Sequence, residues 1–234
     1  MISSFYTGAV GLSQLQKGMD VTSNNVANAS TTGYMASAPR FSDLIYTNLN
    51  AAANAASELK AGHGTKLGKT DTIFTEGDLK KTGTNTDYAL TQPNQFFAIQ
   101  TQSGIRYTRN GNFHVSIQPG ANYLVDSTGG YVLNARGQRI PMKTDNDTPD
   151  IGVYTFDNCD GLTRVGNSYF TPTNLSGAAK TVVNADLKKG WLEGSSIDFT
   201  DEVSSMIELQ RSFQMNSKVV QVSDEIMQTV NSLR

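Results

Sequence analysis

Two stripes of apolar residues at seven-residue spacing, one at each end of the chain, restrict its fold more than any other feature of the 234 residues. Near the N-terminus, Phe5, Leu12, Met19 and Val26 recur every seven positions, with Leu15 and Ala29 three places after members of the series. Near the C-terminus, Phe199, Met206, Phe213, Val220 and Met227 repeat the interval, with Leu209 and Val230 three places on. This is helical spacing that approaches a coiled-coil seam. Asn216 and Ser223 interrupt the second seam where Leu209 sets the pattern. Asp198 and Thr200 stand where an N-cap is expected, and Asp201 and Glu202 suit the positive end of a helix dipole.

The first stripe is embedded in small, uncharged residues. Lys17 and Asp20 are the charges of its helix, and Gly8, Gly11 and Gly18 lie inside it, each costing about 1 kcal/mol relative to Ala. A solvated helix carries more charge on its outer face, so this one needs neighbours on several sides and is marginal alone. A surface helix packed on a globular core explains either stripe taken singly. Two helices with matching stripes can also pair with each other, joining the chain ends and leaving everything between as an insertion. The run Asn24-Asn25-Val26-Ala27-Asn28, then Ser30-Thr31-Thr32-Gly33-Tyr34, reads as a helix exit, with Asn and Gly where the helix should stop.

The middle has another texture. Charged residues are 17% of the chain, and 25 Thr, 19 Asn and 21 Gly take up the difference, a mix that suits strands joined by turns. Residues 36–64, with Phe41-Ser42-Asp43-Leu44-Ile45-Tyr46 followed by an Ala- and Asn-rich stretch from Asn50 to Ala56, read as a linker with a helical or extended turn. From about Thr65, strand-like runs alternate with turn signals: Thr72-Ile73-Phe74, Tyr88-Ala89-Leu90, 96–100, 105–108, 112–117, 123–125, 130–133 and 151–154. Gln102-Ser103-Gly104, Gln118-Pro119-Gly120 and Ser127-Thr128-Gly129 punctuate them, and Asn110-Gly111 is expected to be a hairpin turn with positive φ. The fold class is therefore α+β: paired N- and C-terminal helices, coiled-coil-like, in residues 1–35 and 195–234, around an all-β domain in 65–194 inserted as a meander or small barrel.

Most chemistry is argued against. Gly64-Thr65-Lys66-Leu67-Gly68-Lys69-Thr70 ends like a phosphate-binding loop, but His63 holds the place of its first Gly and no apolar strand precedes it. Asp145, Asp147 and Asp150 form an acidic loop, yet Pro149 and Phe156 stand where a calcium loop needs oxygen ligands. Asp126-Ser127-Thr128-Gly129 reads as a turn, and His63 and His114 have no ligand partners at metal spacing. The single cysteine, Cys159, excludes an internal disulfide. No nucleophile context is recognisable, so the expectation is a non-enzyme with no cofactor and no metal. A net charge of −2 argues against nucleic acid, and no run of about 18 apolar residues argues against a membrane span. The first ten residues contain no basic residue and no long apolar stretch, which argues against a cleaved secretory signal.

The ends then become diagnostic. Met1-Ile2-Ser3-Ser4 with Asn24-Asn25-Val26-Ala27-Asn28 and Ser30-Thr31-Thr32-Gly33-Tyr34 resembles the N-terminal signature of bacterial flagellar rod and hook proteins. Leu192-Glu193-Gly194-Ser195-Ser196, followed by residues 206–218, is similar to that family's C-terminal signature. Between them, Glu76-Gly77-Asp78-Leu79, Asp87-Tyr88-Ala89-Leu90, Phe96-Phe97 and Tyr107-Thr108-Arg109-Asn110-Gly111-Asn112-Phe113 resemble the family's β domain. The opening through Tyr46 looks most like the distal rod branch, with the proximal branch open. Pro93-Asn94-Gln95 departs from the Gly-x-Gly usual before the paired Phe.

The resemblance implies a coaxial assembly. Terminal helices would form the inner tube and the β domain an outer layer of a drive shaft carrying torque from motor to hook. Its lumen would pass unfolded subunits, and the flagellar type III apparatus would export the chain without a cleaved signal to the basal body. The implied partners are further copies in a helical polymer, other rod and hook proteins, and the export apparatus. The expected subunit interface is the two stripes: Phe5, Leu12, Leu15, Met19 and Val26 against Phe199, Met206, Phe213, Val220 and Met227, within one subunit or between neighbours. Asn24, Asn25, Asn28, Gly33 and Tyr34 are expected to shape the exit from the first helix. The rival readings are a short hook-type subunit and, from another class, a monomeric β-rich ligand module or enzyme.

Overall fold

The structure, a computed structural model, describes residues 2–48, 60–118, 121–142, 149–183 and 185–233. The Ala- and Asn-rich stretch 50–56, Pro119-Gly120 and the acidic residues Asp145 and Asp147 lie outside the described residues, as does Met1. The described part is α+β, with a helix near each end of the chain and β structure between them. It divides into two compact units, one of residues 1–27, 37–71 and 198–234, the other of 28–36 and 72–197.

The first unit contains α1 (Ile2–Ala27), β1 (Ser37–Asp43), β2 (Tyr46–Asn48), β3 (Lys60–Gly62), β4 (Thr65–Thr72) and α2 (Phe199–Ser232). The expected cap on α2 is Asp198, whose carboxylate accepts from the Thr200 and Asp201 amides at 2.8 and 3.3 Å. The helices run antiparallel: Val220 lies at Gly8, Asn216 at Gly11, Leu209 at Gly18, and Glu202 bonds Asn25. Among the positions of α1 whose burial is described, Gly8, Gly11, Gly18, Thr22 and Asn25 are buried, and they form their own run at heptad intervals. Small residues on this face let the backbone of α1 come close to α2 and to the ribbon made by β1 and β4. A Cβ on Gly18 would stand 2.7 Å from Phe41 Cζ, and Gln14 accepts from the Leu67 amide at 3.0 Å. The segment from Phe41 to Tyr46, read from sequence as helical or extended, is extended and leads from β1 into β2, which pairs with β3.

Gly11 differs from its neighbours on that face. A Cβ there would meet the Asn216 side chain at 3.4 Å, an ordinary contact. Gly11→Ala should therefore recover helix propensity without a clash, stabilising the unit by about 0.5–1 kcal/mol. The measurement is the thermal midpoint followed by helical ellipticity; a fall instead of a rise of a few degrees would contradict this packing.

The second unit contains β5 (Leu79–Lys81), β6 (Tyr88–Leu90), β7 (Gln95–Thr101), β8 (Gly104–Thr108), β9 (Phe113–Gln118), β10 (Ala121–Asp126), β11 (Tyr131–Val132), β12 (Pro141–Met142), β13 (Val153–Thr155), β14 (Thr163–Arg164), β15 (Tyr169–Thr171), β16 (Lys180–Thr181), β17 (Leu187–Lys189) and β18 (Trp191–Glu193). Its main sheet runs β12-β10-β11-β7-β8-β15-β14, with β9 on β10 and β13 on β7. Strand β7 is buried on both faces. Phe97 and Ile99 join one apolar cluster with Phe113, Leu124 and Val153, while Phe96 and Ala98 join another with Met35, Phe156 and Phe170. This follows from the period-two alternation of a strand, which here carries apolar residues at each position from Phe96 to Ile99.

Two local expectations are corrected. Asn110-Gly111 is not a hairpin turn, because β8 pairs with β7 and β15 while β9 pairs with β10. Neither residue has positive φ. Gly111 is required for another reason: a Cβ would fall 1.7 Å from the Tyr88 carbonyl oxygen, where the backbones of Gly111 and β6 meet. The strand expected at 72–74 ends at Thr72, although the Ile73 amide still donates to the Ala36 carbonyl at 2.8 Å.

Candidate functional site

The stripes are placed as follows. On α1, Phe5, Leu12, Leu15, Met19 and Val26 are half-buried, beside the small-residue face. On α2, Met206, Phe213 and Val220 are half-buried, whereas Met227 is exposed and Phe199 is 57% exposed. The contacts between the helices set large residues of α2 over glycines of α1, with Val220 at Gly8 and Leu209 at Gly18. Asn216, a break in the apolar pattern, lies over Gly11, where its side chain occupies the space beside that glycine.

The sequence sets Val219, Ile226 and Leu233 one place before positions of the seven-residue series and Val230 three after one, but it does not separate them as a second apolar face on α2. Met215, Val219, Val222, Ile226, Val230 and Leu233 are all exposed, Met215 by 73% and Leu233 by 83%. At about 100° per residue these positions gather on a flank of the helix, roughly a quarter turn round from Leu209, Asn216 and Val220. No described residue of this 34-residue helix is buried. Met215, Val219, Val222, Ile226, Val230 and Leu233 follow one another at intervals of three and four, on the flank that adjoins the seven-residue series.

The motif after α1 resolves into separate tasks. Asn25 is buried and bonds both Ser37 and Glu202: its amide nitrogen donates to the Ser37 carbonyl at 2.7 Å and to Glu202 at 2.7 Å, and its oxygen accepts from the Ser37 amide at 3.0 Å. It thereby fastens α1 to the start of β1 and to the first turn of α2. Burial pushes the Glu202 carboxyl above its ordinary value, and the Asn25 hydrogen bond pulls it back. Asn24 lies exposed one position earlier. Replacing Asn25 by Ala leaves the Ser37 backbone groups without these bonds, and should cost about 2 kcal/mol. Loss of helical ellipticity at lower temperature, with the fluorescence of Trp191 unmoved, is the expected result.

Within the second unit, Asn28 accepts from Thr31 through both its backbone carbonyl, at 3.0 Å, and its side chain, at 3.1 Å. Gly33 has φ +64°, and a Cβ there would lie 2.5 Å from the Asn110 nitrogen. Tyr34 is buried beneath the Arg164 guanidinium, 4.7 Å from the ring centre. The chain passes here twice, side by side. The Gly33 amide donates to the Glu193 carbonyl at 2.9 Å, the Ser196 amide to the Tyr34 carbonyl at 3.0 Å, and the Ala36 amide to Ser196 Oγ at 2.9 Å.

Under this double passage lies an ion pair between Arg109 and Glu193 with both side chains wholly buried. The guanidinium donates to both carboxylate oxygens, with contacts of 2.8 and 2.9 Å, and its remaining nitrogen donates to the carbonyls of Gln92, Pro93 and Gln95. The Gly77 amide also donates to the carboxylate, at 3.1 Å. Burial pushes the Glu193 carboxyl up, against the downward pull of Arg109 and Gly77. A pair this fully hydrogen-bonded fixes the local geometry, and losing one partner strands a charge.

Among the described residues no group of three or more His, Cys, Asp or Glu could hold a metal. His63 approaches Thr47 Oγ1 at 3.1 Å, and His114 sits opposite Val125 in the sheet. Burial raises the Cys159 thiol above its ordinary value, the reverse of an activated nucleophile. No described helix is long and apolar enough to cross a membrane.

Comparison with known proteins agrees with the ends and the length of the chain. Residues 5–34 match the family described as flagella basal body rod protein, and residues 188–233 match the C-terminal family of the flagellar basal body rod FlgEFG proteins. The flagellar basal-body rod protein FlgG of Bacillus subtilis is 32% identical over the whole of both chains. FlgG of Borreliella burgdorferi is 30% identical over all of this chain and 99% of its own. The flagellar hook-basal body complex protein FlhP of Bacillus subtilis is 28% identical over the whole of both.

Proposed function

We propose that this chain, which belongs to the flagellar basal-body rod protein family, builds its share of the shaft by stacking its helical unit into a tube with further copies of itself. It is a structural subunit of the flagellar rod, of the distal type, and its place is the flagellar basal body, among other rod and hook proteins. The observation that carries the stacking is α2: 34 residues with no described residue buried, an apolar side toward α1, and a second apolar side exposed. A helix in that state lacks most of the burial that would stabilise it, and neighbouring copies supply it. A contact that joins unlike faces of successive copies does not close on itself and grows into a helical polymer.

In this reading the stripes of Phe5, Leu12, Leu15, Met19 and Val26 and of Phe199, Met206, Phe213, Val220 and Met227 form a coiled-coil-like inner layer, completed between subunits by the Met215 to Leu233 face. The β-rich second unit forms the outer layer, and the finished tube transmits torque and passes exported subunits through its lumen. The export apparatus is the partner that delivers the chain. A hook-type subunit is the less favoured reading, since the FlgG relatives match from end to end.

The test is a pair of substitutions that leave the isolated chain intact. Val219 and Ile226 are exposed, so Val219→Glu and Ile226→Glu should change monomer stability by less than about 0.5 kcal/mol. In the polymer each would bury a charge against an apolar neighbour. Tube formation, followed by sedimentation and electron microscopy, should be abolished; tubes of normal yield from the double variant would overturn the proposal.

A further inference from the structure

One end of the main sheet carries a cleft of about 600 Å³ that the stacking of helices does not use. Three turns build it: Gln102-Ser103 between β7 and β8, Thr128-Gly129-Gly130 between β10 and β11, and Asn167 between β14 and β15. Turns on a rigid sheet, converging on one concavity of this size, are a common construction for a ligand site.

Its chemistry is specific. Two guanidiniums line it, Arg106 and Arg139, and no carboxylate does. Arg139 lies 4.1 Å from the centre of the Tyr131 ring and donates to Gln100 Oε1 at 2.9 Å, which fixes its plane. Arg106 lies 5.8 Å from the Tyr169 ring centre and is half-buried, and its guanidinium makes no hydrogen bond or ion pair among the described residues. Its fork of donors is thus open toward the cleft side of the sheet. Asp126, which bonds residues of the lining, is committed there: it accepts from the Thr128 and Gly130 amides at 2.9 and 2.8 Å and from the Thr128 and Tyr169 hydroxyls. That carboxylate holds Tyr169 and Thr128 in place. The rest of the lining is amide, hydroxyl and glycine backbone, with no aliphatic side chain to seat an apolar group.

We propose that this cleft binds an acidic saccharide. The two guanidiniums take the carboxylate, the geometry for which arginine is suited. The amides of Gln102 and Asn167 and the hydroxyl of Thr128 meet ring hydroxyls, and the tyrosines provide flat walls. A peptide with acidic side chains would satisfy the arginines but leave the hydroxyl-matching lining without a purpose.

The experiment is titration of the full chain with digalacturonic acid, read by backbone amide shifts. Saturable shifts at 101–106 and 128–131 are expected, with a dissociation constant of about 1 mM or tighter. Maltose, the same size without the acid, should produce no saturable shift. Arg106→Gln and the exposed Arg139→Gln should each weaken binding about tenfold, with unfolding midpoints unchanged. The absence of saturable shifts with the unsubstituted chain, undiminished binding by Arg139→Gln, equal binding of maltose, or tighter binding of tri-aspartate would each overturn the proposal.

Discussion

Arg109→Met will destabilise the β-rich unit by about 3–5 kcal/mol, the cost of stranding one member of a buried ion pair. Trp191, the only tryptophan, lies on β18 two residues before Glu193 and reports the loss in a urea titration. The deficit will depend on pH. Without the guanidinium, the Glu193 carboxyl, already raised by burial, rises further above its unfolded value. An acid raised on folding makes the folded state bind more protons. Its contribution is therefore full below the unfolded value and is lost as pH rises through the folded one. Arg109→Met should lie closest to the unsubstituted chain near pH 5 and fall furthest behind near pH 8. Adding Glu193→Gln removes the stranded charge, so the double variant should lose less than the sum of the two singles and lose the pH dependence. A pH-independent deficit, or additive losses, would show that the pair does not act as described.

Gly33→Ala is expected to be nearly as damaging, by about 2–4 kcal/mol. Two effects add. The residue sits at φ +64°, a conformation that costs an L side chain about 1 kcal/mol. The added carbon would also meet the Asn110 backbone at 2.5 Å, and backbone cannot turn aside as a side chain can. The same substitution at Gly11 is predicted to stabilise, so the two variants separate a glycine needed for close backbone approach from one that is merely tolerated. Urea midpoints read at Trp191 for Gly33→Ala, and helical ellipticity for Gly11→Ala, should move in opposite directions. Movement in the same direction would contradict the account of both.

The helices were legible because the heptad series is long and the Asp198 cap is local in sequence. The face that α1 turns toward α2 was harder to read. Gly8, Gly11, Gly18, Thr22 and Asn25 carry no hydrophobic signal, and burial of small residues shows only when the neighbouring backbone is present. Strands β6 to β10 were legible from runs such as Phe96 to Gln100, in which apolar residues on both faces mark a central strand. Their pairing was not: the Asn110-Gly111 dipeptide has the chemistry of a hairpin turn, yet Gly111 is selected by the Tyr88 carbonyl rather than by positive φ. Arg109 and Glu193 are 84 residues apart, and nothing local announces their bond. The hint was that each is a charged residue inside a separate motif otherwise concerned with packing. The cleft at the end of the sheet was illegible for the same reason, since its arginines come from β8 and from the loop before β12.

The central claim is that the terminal helices acquire their stability from neighbouring copies. Hydrogen exchange of the amides in 199–233, compared between a dilute monomer and the assembled tube, tests it most directly. The prediction is exchange slowed by no more than about a thousandfold relative to the unfolded rate in the monomer, and by at least a further thousandfold in the tube. Full protection of those amides in a lone molecule, unchanged by assembly, would contradict it.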